Sequence, residues 1–388
     1  MPVKNRFAEM MPEMKAWRHD FHRHPELMFD LPRTSARVAE LLREFGVDEV
    51  AEGIGRTGVV AVVRGKTDNQ GKVIGLRADM DALPIREMTG ADYASQTSGV
   101  MHACGHDGHT SMLLGAAKYL AETRNFDGTA VLIFQPAEEG GGGGKAMLDD
   151  GLLDRWGVEE FYALHNMPGI AVGQFAVRPG AMMAATDQID IVLTGRGGHA
   201  ATPHQAVDLP LVASQLIVAL QSIVSRNVDP LKNAVVSICS IETDSPAYNV
   251  LPGRVLLRGT ARSLDPAVRD LLERRIGEIS TAIATGFGAV AEVDYMRGYP
   301  ITMNDAEAAG HAADVAEKVA GSVDLGIDPM MAAEDFSYML NARPGAYVFL
   351  GNGDSAMLHH AAYDFNDEIL PVGASWLAGM IEARMPAA

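Results

Sequence analysis

Short apolar runs alternate with helix-patterned stretches through the N-terminal part of the chain. Residues 58–63 and 73–76 read as two strands separated by the polar turn 65–71; residues 129–134 and 160–164 read as two more. Ahead of them, residues 14–44 predict helix in two pieces, interrupted by Pro25 and Pro32 with Thr34 a candidate cap. Residues 110–123, rich in Ala, Leu and Met, predict another helix, and 145–153 one more after the glycine run 140–144. Strands alternating with helices predict an α/β domain with a mainly parallel central sheet. The character changes after about Pro179. Strand patterns at 188–194, 234–239, 254–262 and 289–296, with helical patterns at 208–224 and 266–285, give a β-α-β-β-α-β order. Residues 187–296 therefore read as an inserted, ferredoxin-like α+β domain, splitting the first domain into 1–186 and 297–388. The last stretch returns to α/β character, with a strand at 346–350 and a closing helix at 373–384. Hinges are expected near 182–187 and 296–300, with closure of the two domains gating the site.

The size and composition agree with two folded domains: 388 residues, 47% hydrophobic and 21% charged. A net charge of −18 repels phosphate backbones and anionic lipid, so nucleic acid and membrane surfaces are poor partners. No run of about 20 consecutive apolar residues is present, and the N-terminus lacks the apolar core of a signal peptide. With only Cys104 and Cys239 as cysteines, a reducing, cytoplasmic location is the expectation.

Polar clusters at Asp79/Asp81, Cys104–His109, Glu138/Glu139 and His165 all come after predicted strands. Open α/β sheets place ligands at the carboxyl ends of their strands, so four such clusters converging on one edge point to a site. Cys104 and His106 are two apart and share a face in an extended segment. Together with Glu139, His165 and either His359 or His360 they form a thiolate, imidazole and carboxylate set suited to Zn²⁺, Mn²⁺, Co²⁺ or Ni²⁺. Five donors with a thiolate able to bridge suit a pair of ions about 3.5–4 Å apart. Glu138 and Glu139, as neighbours on an extended segment, point opposite ways, so that one can bind metal while the other acts as a general base whose pKa burial tunes toward neutrality. A nucleophilic Cys104 beside a histidine base competes with this reading, but it leaves the paired glutamates without a task. His102 and His109 read as supporting groups. The loop Gly195–His199 lacks the Lys-Ser/Thr of a phosphate loop.

The strings Leu76-Arg-Ala-Asp79-Met-Asp81-Ala-Leu-Pro84, Met101-His-Ala-Cys104-Gly-His106-Asp-Gly-His109, Gln135-Pro-Ala-Glu138-Glu139, Leu164-His165-Asn-Met-Pro168 and Gly197-Gly-His199-Ala, in this order, closely resemble one family. It is the metal-dependent amidohydrolase and peptidase family, in its hippurate hydrolase and indole-acetyl-amino-acid hydrolase branch. The resemblance implies a zinc-peptidase-like catalytic domain carrying two divalent ions on Cys104, His106, Glu139, His165 and His359. It makes Glu138 the general base and Asp79 a carboxylate that orients a ligand or the base. It implies that the inserted domain mediates homodimerisation, with higher assembly left open, and that His199 reaches the partner's site to stabilise the oxyanion. Asn249 and Arg262 match substrate-binding positions, Arg262 facing the substrate carboxylate, and Gly351 is expected to offer a backbone amide. The implied reaction is hydrolysis of the amide bond of an N-acyl amino acid by metal-activated water. A dipeptidase or an N-acetyl-diaminopimelate-type deacetylase on the same scaffold is the alternative, as is a non-catalytic metal- or ligand-binding relative. Near the end the family usually has His-x-Pro, whereas this chain reads Leu358-His359-His360-Ala361.

Overall fold

The computed structural model describes residues 4–387. The chain falls into two compact units: Met1–Met182 with Met303–Asp328 and Asp335–Ala388, and Met183–Thr302 with Pro329–Glu334.

The first unit is built on an eight-stranded sheet. Its spatial order is Glu49–Ile54, Gly58–Arg64, Thr129–Gln135, Val73–Asp79, Glu160–Pro168, Gly345–Gly353, Phe175–Ala176 and Val323–Asp324. The four strands from Thr129–Gln135 through Gly345–Gly353 are mutually parallel. Their near-continuous apolar sequences follow from burial on both faces. Val59, Ala61, Ile74, Leu76, Leu132 and Leu164 turn toward one set of helices, while Val60, Val131, Ile133, Phe161 and Phe349 are equally buried. The packing helices on the first face include Asn5–Arg23, His106–Thr123 and Leu370–Arg384, where Phe7, Phe21, Leu113 and Trp376 fill the layer.

The first helix begins at Asn5 and runs through Pro12, earlier than the sequence pattern suggests. Pro32 opens the second helix, Pro32–Glu44, and Thr34 lies inside it. The cap comes instead from Glu26, whose carboxylate accepts from the Arg33 and Thr34 amides at 3.1 and 2.7 Å, a favourable charge at a helix N-terminus. The strand Glu49–Ile54, antiparallel to Gly58–Arg64, carries two glutamates and a glycine and has no apolar signature. The segment predicted as one helix at 145–153 is two, Gly143–Asp149 and Leu152–Trp156, broken at Gly151 with φ +89°.

The second unit has four antiparallel strands in the order Ala234–Thr243, Arg254–Ser263, Ala185–Thr194, Val290–Arg297. With helices Leu209–Ser222 and Pro266–Gly286 on one face, this is the ferredoxin-like arrangement. Asp208 and Asp265 cap the two helices through their side chains. Ile189, Ile191 and Leu193 alternate inward onto Leu216, Leu220, Leu272 and Ile276. The helical stretch Leu209–Asn227 is long and apolar enough to cross a membrane by length and composition, with mean hydropathy 1.4. One face of it, Leu209, Val212, Ala213, Leu216 and Leu220, is core, while Leu211 and Val218 are exposed.

Candidate metal centre

At the carboxyl edge of the parallel strands the backbone turns sharply three times, and each turn delivers donor atoms. After the loop that follows Val73–Asp79, Cys104 precedes Gly105, which has φ +91°, and His106 opens a helix. A Cβ on Gly105 would lie 2.2 Å from Asn166 Nδ2 and 2.6 Å from Tyr363 Oη, so only glycine fits. Cys104 and His106 therefore converge through a left-handed turn rather than by strand alternation. After Thr129–Gln135, Ala137 takes φ +53°, and Glu138 and Glu139 lie in a turn. Both carboxylates consequently face His106, contrary to the opposed orientation expected of an extended pair. Asp81 fixes this turn by accepting from the Glu138 amide at 2.9 Å and the Glu139 amide at 3.2 Å. His359 likewise has φ +62°, and its amide donates to Ala103 O at 2.8 Å. His165 lies within its strand, Glu160–Pro168, rather than beyond the end of it.

These turns create two overlapping donor clusters. Cys104, His106 and His165 form one and Cys104, Glu139 and His359 the other, each with its ligating atoms within 4.8 Å of one another. Cys104 Sγ is 3.3 Å from His165 Nε2, and Glu139 Oε1 is 3.1 Å from His359 Nε2. The tautomers are set from behind: His106 Nδ1 lies 2.8 Å from Asp81 O, and His165 Nδ1 2.6 Å from Asn166 O. Engagement of Nδ1 by these carbonyls leaves each Nε2 facing the cluster, which is how metal-binding imidazoles are oriented. His106 Nε2 is buried without a hydrogen-bond partner. This orphaned nitrogen, the thiol and the carboxylates together fit a divalent transition-metal ion.

The local field is negative. Burial by itself pulls the His106 imidazole down, yet Asp79, Asp81 and Glu139 push it up to about 10, which marks a position that favours a cation. His165, by contrast, is driven well below the usual range by burial and by His109, and stays neutral. Burial and the charges of Glu139 and Glu138 raise the Cys104 thiol. Burial opposes ionisation of Glu139, but its contacts with His359 and His106 hold its carboxyl below the usual range.

Asp79 touches a different histidine. Its Oδ1 accepts from His109 Nδ1 at 2.6 Å and its Oδ2 from Arg77 Nη1 at 2.6 Å, while His106 Nε2 is 3.8 Å away. Burial disfavours its charge, but His106, Arg77 and His109 keep it ionised. His109 Nε2 in turn accepts from the Asn166 amide at 3.0 Å, so both nitrogens of His109 are engaged and neither is free to coordinate. Asn166 was not evident from sequence, and neither was the positioning work of Asp81. The Asn166 side chain donates to Cys104 O at 2.6 Å and accepts from Tyr363 Oη at 2.6 Å, locking the thiol's backbone to the His165 strand. His102 is buried and belongs to none of these clusters, its pKa pushed down to about 3 chiefly by burial. His360 is exposed, and its Nδ1 accepts from the Ala362 amide.

The sequence model of peptidase family M20/M25/M40 matches residues 75–383. The chain belongs to this family. Among its relatives, hippurate hydrolase of Campylobacter jejuni is 45% identical over 372 residues, covering 95% of this chain and 96% of that one. N-acetyl-L-cysteine deacetylase of Bacillus subtilis is 41% identical over 360 residues, covering 92% and 85%. A crystal structure of a dinuclear metal-binding M20 peptidase from Bacillus subtilis is 31% identical, with a TM-score of 0.87 over 98% of this chain and all of that one. The M20 chain described here is accordingly an amidohydrolase.

In the second unit of this M20 enzyme, the short strands Gly198–His199 and Val250–Leu251 pair, with His199 opposite Val250. The Ala200 amide donates to Asn249 O, which brings His199 and Asn249 to one open cavity of about 530 Å³ that also includes Asp244 and Ser245. His199 is exposed, its Nδ1 accepting from the Ala201 amide. Arg262, half-buried on Arg254–Ser263, does not line that cavity. Gly351 departs from expectation. Its amide donates to Gln174 O at 2.8 Å within the sheet edge, and a Cβ there would meet Ala171 O at 1.9 Å. The glycine serves close backbone approach and has no amide to offer a ligand.

Proposed function

We propose that the protein hydrolyses N-acyl amino acids, hippurate-like or N-acetylated, to a carboxylic acid and a free amino acid, using two divalent metal ions. The observation that carries this reading is Cys104 Sγ, common to two donor clusters, which is the arrangement a bridging ligand requires. His106 and His165 would hold one ion and Glu139 and His359 the other. When bound, such a pair supplies Lewis-acid polarisation of the acyl carbonyl and acidifies water. Glu138, held at the cluster by Asp81, takes the proton from the attacking water onto its carboxylate and passes it to the departing nitrogen. Asp79 acts through His109 and Asn166 to keep the Cys104 turn in register.

On the second unit, His199 is assigned to the oxyanion and Asn249 and Arg262 to the substrate. Arg262 makes no ion pair among the described residues, which leaves its guanidinium available to a carboxylate. The relatives named for hippurate and N-acetylcysteine support this substrate class. We further assign a homodimer through the second unit, supported by exposed Leu211 and Val218 on one helix and exposed Ile241 on the edge strand Ala234–Thr243. The test is amino-acid release from hippurate, several N-acetyl amino acids and a dipeptide, with Mn²⁺, Zn²⁺ or EDTA. Release from an N-acyl substrate that EDTA abolishes and metal restores is expected. Glu138→Gln should lose at least about 100-fold in kcat while keeping its metal content. Turnover that survives EDTA, or is unchanged in Glu138→Gln, would refute the scheme.

A further inference from the structure

Behind the donor clusters lies a second group of charges that the reaction does not use. Arg18 and His22, one turn apart on Asn5–Arg23, are fully buried. His22 Nδ1 is 2.8 Å from Asp107 Oδ2, and its Nε2 is 3.3 Å from Glu87 Oε1. Arg18 Nε donates to Asp367 Oδ1 at 2.8 Å, and its Nη1 reaches Asp107 Oδ2 at 3.5 Å. The guanidinium also lies over the Tyr93 ring, 4.3 Å from its centroid.

Buried ion clusters contribute little net stability, since apolar residues of similar volume serve as well. What this one does have is placement. Asp107 directly follows His106 in the first turn of His106–Thr123, so fixing its carboxylate fixes the rotation of that turn. Asp367 lies on the segment that follows His359. Glu87 Oε2 accepts from the Ser95 amide at 2.6 Å, and the neighbouring Met88 amide donates to Ala361 O at 2.7 Å, two residues past His359. Both nitrogens of His22 face carboxylates, so both must donate; although burial lowers it, Asp107 and Glu87 push this histidine up to about 9.

We infer that Arg18 and His22 are positioning residues of the metal centre, a buried cationic pair that clamps the His106 turn and the His359 segment to one helix. The inference rests on the ligand assignment proposed above. Asparagine puts its amide nitrogen near the place of Nδ1, and glutamine near that of Nε2. His22→Asn therefore keeps the bond to Asp107 and His22→Gln keeps only the one to Glu87. Arg18→Lys keeps the charge but cannot span Asp107 and Asp367 together.

The apo full-length protein would be titrated with Co²⁺, following the thiolate-to-cobalt absorption, with calorimetry to establish folding and His106→Ala as control. His22→Gln and Arg18→Lys are expected to weaken Co²⁺ binding about 10- to 100-fold, with His22→Asn within about threefold of the parent. Unchanged affinity in folded His22→Gln and Arg18→Lys would overturn the inference, as would equal losses in His22→Asn and His22→Gln. Failure of all three variants to fold would assign the cluster to stability alone and overturn it too. If His106→Ala binds Co²⁺ like the parent, it is the ligand assignment that fails instead.

Discussion

Replacing Tyr363 by phenylalanine removes one atom from the support of the thiol and leaves the ring packing in place. Tyr363 is fully buried, and its hydroxyl donates to Asn166 Oδ1 at 2.6 Å. Burial raises its pKa well above the ordinary value, so the hydroxyl is a donor at any working pH. Asn166 is itself fully buried, and without this donor its amide oxygen has no replacement. Leaving a buried acceptor unsatisfied costs about 1–3 kcal/mol. For a domain of this size, each kcal/mol moves Tm by about 2–4 °C, so the metal-free variant should melt about 2–12 °C lower by scanning calorimetry. The same amide donates through Nδ2 to Cys104 O, and a loosened Asn166 should weaken metal binding roughly tenfold, read by metal titration. A Tm and a metal affinity both within error of the parent would refute the claim that Asn166 holds the cysteine turn.

Two further predictions separate strain from contact and place an acid limb. Gly105→Ala adds a methyl 2.2 Å from Asn166 Nδ2 to the strain of φ +91°, whereas Gly46→Ala, at φ +74° with open space around it, adds strain alone. Metal affinity should fall tenfold or more in the first and stay unchanged in the second, and equal behaviour of the two would count against the contact argument. Burial opposes the charge of Glu160, but Arg384, Lys72 and Tyr162 hold its carboxyl down to about 2 against a usual 4.5. A depressed carboxylate stabilises fully above its unfolded pKa and loses that contribution as pH falls toward its folded one. The Tm gap between the parent and Glu160→Gln should therefore be constant at neutral pH and narrow between about pH 4.5 and about 2; a gap independent of pH would dismiss the ion-pair account.

Elements that announce themselves by composition were legible in the sequence. The buried parallel strands are runs of Val, Ile, Leu and Phe, and the donor residues cluster after them or, for His165, toward the end of one. The edge strand Glu49–Ile54 was not legible, because its exposed positions are Glu52 and Gly53 rather than β-branched residues. The orientation of Glu138 and Glu139 was misread because it depends on a positive φ at Ala137, a residue type with no preference for that conformation. Asp81, Asn166 and Tyr363 escaped for another reason: their partners lie far away along the chain, and single-residue patterns carry no information about such pairings. Gly351 shows the converse, a glycine whose reason is backbone crowding rather than recognition.

The order of the strands also says when the centre can form during synthesis. Gly345–Gly353 pairs with Glu160–Pro168, and the polypeptide between them includes the whole ferredoxin-like unit. A nascent chain that has emerged only as far as that unit has an open, apolar edge at Glu160–Pro168 and lacks His359. Such an edge invites pairing with other chains. The ferredoxin-like unit is contiguous except for residues 329–334 and has most of its partners in hand early, whereas the larger unit must wait for its C-terminal strand and then close a long-range parallel pairing, a slow step. On the ligand set proposed above, complete metal loading therefore waits until Gly345–Gly353 and His359 have been made.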